Sequence, residues 1–415
     1  MKIAVIAPAD IPSKRANSIQ VMKMMDAFIE EGHDARLAVP GSSTKAEAEF
    51  LDWDEIAEFY GLQRQFPIQW MRTLPGLRKY DYAWCCVFWA RSWQADVIYT
   101  RLPQAAALSS LFGSATILEM HDFPHGKMGP FLLKAFLRGK GACRLVVISQ
   151  ALAADLAKEV GKGPIEAKTL VAPDGVDLSR FVDLPTPEDA RQCLRDRLEA
   201  FAVTVGGTFS CERFTAGYTG HLYRGRGINL IVELADRIPE MNFLVVGGEA
   251  EDYQKLVETV RSKGLRNLTP TGFVPNAELP AYQAACEVLL MPYQRRVAAS
   301  SGGDISRYLS PMKLFEYLAC GRAICSSDLP ILREVLTNQN AILLPPEDLS
   351  AWVDALRRLQ RDPSLRASLT KAARQTADAY TWEARVRKIL NHPSNEFSYK
   401  GLSDGDADKG LTCGE

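Results

Sequence analysis

The first forty residues restrict the fold more than any other stretch. Ile3-Ala4-Val5-Ile6-Ala7 is an unbroken apolar run, the pattern of a strand buried on both faces of a parallel sheet. A loop runs from Pro8 to Asn17. Ile19, Met22, Met25 and Ile29 then recur at helical spacing, and Gly32 closes the helix. Ala35–Val39 is apolar again. Strand, helix and strand in this order predict a βαβ unit. Its first loop then lies at the carboxyl end of the first strand, where doubly wound sheets bind ligands. That loop lacks G-x-G-x-x-G, which weighs against a nicotinamide-dependent oxidoreductase.

The same rhythm continues through Asp96–Thr100, Thr116–Met120 and Arg144–Ile148, and ends at Leu170-Val171-Ala172-Pro173-Asp174-Gly175. It breaks over 182–212, where Pro185, Pro187 and Gly206-Gly207 flank a charged stretch, and restarts at Phe214. With 415 residues the chain has room for two or three domains. The expected division is a first α/β domain over 1–185, a linker or helical insert over 186–212, and a second α/β domain over 213–379. A last helix over 380–391 and a disordered polar tail over 392–415 follow. Two doubly wound parallel-sheet domains with ligand-type loops at their strand ends most naturally face each other across a cleft.

Composition narrows the function. A net charge of −1 gives no global case for nucleic acid. The nine cysteines have no zinc spacing and read as free thiols. No apolar run approaches the ~18 residues of a membrane span, and the apolar core at the start is too short for a signal peptide.

The chemistry concentrates in Ser310-Pro311-Met312-Lys313-Leu314-Phe315-Glu316-Tyr317-Leu318-Ala319-Cys320-Gly321. It reads as a loop entering a helix, with Ser310 as cap, Pro311 in the first turn and Gly321 closing. A helix start presents free N–H groups and the positive end of a dipole. Lys313 there opposes the dipole, which makes better sense with an anion in front of it. Glu316, three residues on, shares its face. Lysine and N–H groups for phosphates, with a carboxylate for hydroxyls, suit a diphosphate attached to a ribose. On spacing alone, an ordinary helix with an i,i+3 Lys–Glu pair fits too.

Other loops point the same way. Gly220-His221-Leu222-Tyr223-Arg224-Gly225-Arg226-Gly227 puts two arginines in a glycine-rich loop between a strand and a helix, and arginine's planar fork binds phosphate oxygens in pairs. Gly247-Gly248 allows backbone to approach a ligand closely. The polar loop 294–309 is of a kind that orders over ligand. His121 follows directly on an apolar strand, at the sheet's carboxyl edge. Two segments have blander readings. The aromatic stretch 77–93 reads as a helix beside the sheet. The segment 127–140, apolar with basic flanks, reads first as a sheet-covering helix and, alternatively, as a peripheral membrane contact.

In this order the motifs Arg15-Ala16-Asn17-Ser18, His121-Asp122, Ser149-Gln150-Ala151-Leu152, Pro173-Asp174-Gly175-Val176-Asp177, Gly220-His221-Leu222 with Arg226-Gly227, Gly272-Phe273-Val274-Pro275, Ser310 to Gly321, and Tyr380-Thr381-Trp382-Glu383 resemble those of retaining glycosyltransferases of family 4 (glycosyl transferases group 1) over about residues 1–390. The resemblance implies the GT-B fold and transfer of a sugar from a nucleotide-diphosphate sugar to an acceptor hydroxyl, as in polysaccharide biosynthesis. It implies no metal or other cofactor. The free thiols point to a reducing cytosol, and the alternative reading of 127–140 adds peripheral contact at the inner face of the membrane.

By resemblance His121, Arg226 and Lys313 are the catalytic residues, with His121 pointing at the donor sugar. Asn17, Ser18, Gly220, His221, Gly247, Gly272, Phe273, Val274, Tyr308, Ser310, Pro311, Met312 and Glu316 bind the donor. Three positions depart from the family pattern. Tyr308 stands where the E-x7-E motif has its first glutamate, His221 replaces the usual loop arginine, and Asn17-Ser18 replaces a glycine pair. The alternatives are a non-catalytic nucleotide-sugar-binding protein, which the missing glutamate favours, and a GT-B sugar-nucleotide epimerase. The acceptor, a glycan, a lipid-linked or a small-molecule hydroxyl compound, is left to the first-domain loops 8–18 and 41–75.

Overall fold

The computed structural model describes residues 1–41, 52–124, 126–161, 163, 165–298 and 303–391. The expected tail 392–415, part of the loop 294–309 and part of the loop 41–75 lie outside these residues.

The first sheet has seven strands, β1 (Lys2–Ile6), β2 (Asp34–Pro40), β3 (Ile68–Met71), β4 (Val97–Thr100), β5 (Thr116–Met120), β6 (Ala142–Val147) and β7 (Thr169–Val171), in the order β3-β2-β1-β4-β5-β6-β7. The second has six, β8 (Thr215–Thr219), β9 (Asn242–Val246), β10 (Leu268–Gly272), β11 (Val288–Met291), β12 (Ala323–Ser327) and β13 (Ile342–Leu344), in the order β10-β9-β8-β11-β12-β13. Every pairing is parallel. This is the GT-B fold. In each sheet the order reverses next to its first strand, between β1 and β4 and between β8 and β11. Such switch points open a crevice at the strands' carboxyl ends.

Alternation along β5 assigns the faces of the first domain. Ile117 packs with Met22 and Phe28 of the helix Ala16–Glu30 and with Trp382 and Val386 of the helix Trp382–Leu390. Leu118 and Met120 pack against Leu133, Phe136 and Leu152 of the helices Met128–Arg138 and Gln150–Val160. The last helix thus returns from the second domain to the core of the first. A parallel bridge between Val176 and Thr381 holds the return, and a side chain at Gly175 would meet the Trp382 nitrogen at 2.9 Å.

Local expectations hold in some stretches and are corrected in others. The stretch 41–75 carries a helix, Trp53–Tyr60, as well as β3. The break at 182–212 holds two helices, Pro187–Cys193 and Arg195–Thr204, where acidic and basic residues over a few apolar contacts obscure the period. The segment 127–140 is the helix Met128–Arg138, with Leu133, Phe136 and Leu137 buried. The eight described cysteines are free thiols.

Candidate active site in the interdomain cleft

Between the two sheets lies a cavity of about 400 Å³, lined from both domains. The first domain contributes Asn17 from the first turn of the helix Ala16–Glu30, and Arg101, His121 and Asp174 from the loops after β4, β5 and β7. The second contributes Gly220, His221 and Arg226 after β8, Gly247 after β9, Phe273 and Val274 after β10, and Tyr308 through Lys313 with Glu316 after β11. The two switch points therefore face each other across the cavity.

Its floor is the start of the helix Met312–Cys320. Pro311 occupies the cap position rather than the first turn, and no side chain caps this helix. Ser310, expected as cap, instead receives the Asp174 backbone N–H of the first domain on its Oγ at 3.3 Å. The helix-start amides are left for another acceptor. Gly321 closes the helix at φ 62°, as the sequence predicts.

Lys313 reaches back from this helix into the cavity. Its Nζ sits 3.7 Å from the centre of the Tyr218 ring and 5.6 Å from that of Tyr293. It is buried and has no hydrogen-bond partner among the described residues. Burial, then the Arg226 guanidinium, push its pKa well below the ordinary lysine value, against the pull of Glu316. Arg226 donates from Nη1 to the Tyr293 hydroxyl at 2.9 Å, while its buried Nε has no partner among the described residues. Two cations thus converge on one point with donors unused. Gly220 makes room for them: at φ 128° it already adopts a conformation unfavourable to side chains, and a Cβ there would meet Lys313 Nζ at 2.8 Å.

Glu316 faces the same cavity and accepts from Gln283 Nε2 at 3.1 Å. His221 stacks on Tyr223 at 4.7 Å, and burial, Arg226 and Lys313 hold its pKa down. At the mouth, Phe273 stacks on Phe59 of the first domain at 6.2 Å, and Lys14 lies 3.8 Å over the same ring. Two predicted residues are not in the cavity wall. Ser18 is buried and donates its hydroxyl hydrogen to the Asp10 carbonyl at 2.8 Å, shaping the first loop from behind. Gly272 ends β10, and its carbonyl receives the Gly247 N–H at 2.7 Å.

Opposite the cations, His121 bonds through Nε2 to the buried Glu119 carboxylate. Asp174 lies beside them, its buried Oδ1 without a hydrogen-bond partner among the described residues. Burial raises the Asp174 pKa. Sequence reasoning missed Glu119, Asp174 and Arg101. The signal for the first was a lone acid inside an apolar strand. Glu119, His121 and Asp174 have the side-chain spacing of a metal-ligand set. They do not fit one, because Arg385 and Gln20 already bond the Glu119 oxygens and Arg101 adds a further positive charge.

The family model described as Glycosyltransferase Family 4 matches residues 18–180, and that described as Glycosyl transferases group 1 matches residues 213–362. The D-inositol 3-phosphate glycosyltransferase of Corynebacterium jeikeium is 29% identical over 236 residues, 53% of this chain and 50% of that protein. The chain thus matches about half the length of that relative. The phosphatidyl-myo-inositol mannosyltransferase of Mycolicibacterium smegmatis is 23% identical over 337 residues, 79% of this chain and 78% of that one. Among solved structures, Anabaena HepE in complex with UDP superposes with a TM-score of 0.68 at 15% identity, over 94% of this chain and 99% of that one, a likeness of fold.

Proposed function

The chain belongs to the family 4 glycosyltransferases of GT-B fold, and from that premise we propose that it moves a hexosyl group from a nucleoside-diphosphate sugar to an acceptor hydroxyl, with retention and without a metal. The observation that carries the proposal is the pair of buried, incompletely bonded cations, Lys313 Nζ and Arg226 Nε, in front of an uncapped helix start. Buried cations without partners are costly, and a diphosphate offsets that cost.

In this reading Arg226, Lys313 and the Met312 and Lys313 amides take the diphosphate. Glu316 takes the ribose hydroxyls, and the base lies along Phe273 and Val274. The UDP bound by HepE supports a donor of this class. His121 and Asp174 face the sugar from the other side. Charge developing on the departing diphosphate is stabilised by fixed cations and N–H groups, which need no reorganisation during the reaction. Of the two carboxylates grouped with His121, Glu119 is already held by Arg385 and Gln20, which disfavours a double displacement that needs a free pair. The departing phosphate therefore takes the acceptor's proton on the same face of the sugar. Contact between the domains excludes water that would hydrolyse the donor.

The acceptor is a saccharide or a lipid-linked hydroxyl compound, in keeping with the inositol and lipid substrates named for the relatives. A peripheral membrane contact accompanies it. Tyr80, Trp84 and Phe88 form an exposed stripe on the helix Tyr80–Ser92, Phe112 lies 6.0 Å from Trp84 and Phe88, and Phe131 is exposed on the helix Met128–Arg138. Over 126–141 every charged residue is basic. No described helix is long and apolar enough to cross a membrane. Sedimentation with anionic but not zwitterionic liposomes, lost in Trp84→Ser/Phe131→Ser, supports this contact; no sedimentation with either removes it.

Calorimetry with a panel of nucleoside-diphosphate sugars, with and without EDTA, on wild type and Lys313→Ala tests the donor site. One donor should bind, EDTA should change nothing, and Lys313→Ala should lose it. Absence of nucleotide binding down to millimolar affinity sinks the assignment. Binding without turnover on any acceptor favours a non-catalytic nucleotide-sugar binder.

A further inference from the structure

We infer that Glu119 and Arg385 are positioning residues that set the tautomer and orientation of His121, so that the last helix of the chain, which follows the second domain, controls a group in the cleft of the first. The inference rests on the proposed transfer reaction for its kinetic consequence, but not for its structural one.

Glu119 and His121 are two apart at the end of β5, so their side chains stand on the same face of the sheet. That face is covered by the helices Ala16–Glu30 and Trp382–Leu390. Each helix sends one polar group to Glu119. Gln20 donates from Nε2 to Oε1 at 2.9 Å. Arg385 lies 3.1 Å from Oε1 through Nη2 and donates from Nη1 to Oε2 at 3.2 Å. Both carboxylate oxygens are thus occupied, and the side chain of Glu119 is fully buried. Arg385 is itself fixed by the backbone carbonyls of Ala172 and Pro173, at 3.1 and 2.8 Å.

An ionised carboxylate only accepts hydrogen bonds. Burial works to raise the pKa of Glu119, but Arg385 and His121 outweigh it and hold the group ionised. The His121 nitrogen that faces Glu119, Nε2, must therefore carry the proton. Nδ1 is then the ring nitrogen left to accept a hydrogen bond in the cleft, which His121 lines. A neutral partner in place of Glu119 imposes no such choice. The charged groups facing the ring are Glu119 from β5, Arg101 after β4, Asp174 after β7 and, behind Glu119, Arg385 from the last helix. The helix Ala16–Glu30 presents there only the uncharged Gln20.

Two measurements test this. Long-range ¹H–¹⁵N correlation spectra of the wild-type protein report the tautomer of each of its five histidines, with His121→Gln assigning the signal. The Nε2–H form is expected, and the Nδ1–H form overturns the inference whether or not Glu119→Gln and Arg385→Met fold. In Glu119→Gln and Arg385→Met, kcat should fall by about tenfold to a hundredfold while donor KM and nucleotide Kd hold. The acid limb of kcat/KM should move to lower pH, because the ring loses the carboxylate that favours its protonated form. Arg385→Lys should recover part of kcat. Wild-type kcat in Glu119→Gln, or a loss of nucleotide affinity in step with kcat, overturns a positioning role. If wild type binds no nucleotide, the transfer reading fails, and the tautomer still stands or falls separately.

Discussion

The Tyr308 hydroxyl of the second domain donates to Asp155 Oδ2 of the first at 2.8 Å. The residue that stands in place of the first glutamate of the E-x7-E motif therefore ties the domains together. Arg307 donates to Asp155 Oδ1 at 2.8 Å, and Glu334 receives the Gln150 N–H at 2.8 Å close by. The Tyr308 hydrogen bond and Arg307 pull the Asp155 pKa down to about 2.

Removing the hydroxyl should loosen closure over the donor. Net, such a bond is worth ~1 kcal/mol, so Tyr308→Phe should raise donor hydrolysis relative to transfer by roughly threefold to tenfold. The ratio is read from free sugar released with and without acceptor. Because the Asp155 pKa is depressed, the link is complete above the ordinary aspartate range and is lost as pH falls toward about 2. The hydrolysis ratio should therefore be flat between pH 6 and 8; a steep change there argues against this link as the closure.

Lys313 should trade stability for binding. Its ammonium is buried beside Arg226 without a hydrogen-bond acceptor among the described residues. Lys313→Met keeps the stem and removes the charge, so the ligand-free protein should gain about 1–3 kcal/mol of stability. The same variant should lose roughly ten- to a hundredfold in nucleoside-diphosphate affinity, the worth of one charge-assisted contact of about 1.5–3 kcal/mol. Denaturant titration and calorimetry read the two effects. A variant that is destabilised without ligand contradicts the electrostatic account.

Proton uptake should accompany donor binding. The Lys313 pKa is lowered in the free protein by burial and Arg226, and a bound diphosphate raises it. Above the depressed pKa the free lysine is partly neutral, so binding takes up protons and weakens as pH rises. For the free protein the sign is opposite: stability contributed by this group is present above the ordinary lysine pKa of 10.5 and is lost as pH falls through the folded value. Binding enthalpies in phosphate and Tris buffers should differ in proportion to the uptake, and Lys313→Met should abolish the difference.

Residues close in sequence made the second-domain wall of the cavity legible. Lys313 and Glu316 declare their shared face by spacing, and His121 declares its place by following an apolar strand. Ser18 and Gly272 belong to motifs that do build the cleft, but each supports it from behind, and position in a motif does not reveal which way a side chain turns. What stayed hidden is non-local. Arg385 and Glu119 are 266 residues apart, and Tyr308 and Asp155 are 153 apart. Neither pair leaves a periodic trace. The helix Trp53–Tyr60, whose Phe59 reaches the mouth of the cleft, is too short to show a helical period against its charged neighbours.

Trp382 separates the stability of the two domains. It begins the last helix, is almost fully buried, and packs in the first-domain core with Val386, Ile389 and Leu390. Removing a buried aromatic ring costs about 3–5 kcal/mol, and in Trp382→Ala that loss should fall on the first domain. Lys313, Arg226 and Glu316 all belong to the second, and of the helix that carries Lys313 and Glu316 the side chain that packs against this core is Met312. Nucleotide binding should therefore survive in Trp382→Ala at temperatures where transfer is already lost. Thermal unfolding followed by fluorescence, beside calorimetry below the first transition, distinguishes the outcomes. If nucleotide affinity disappears together with the first transition, the donor site depends on the returning helix, and the division of labour between the domains is wrong.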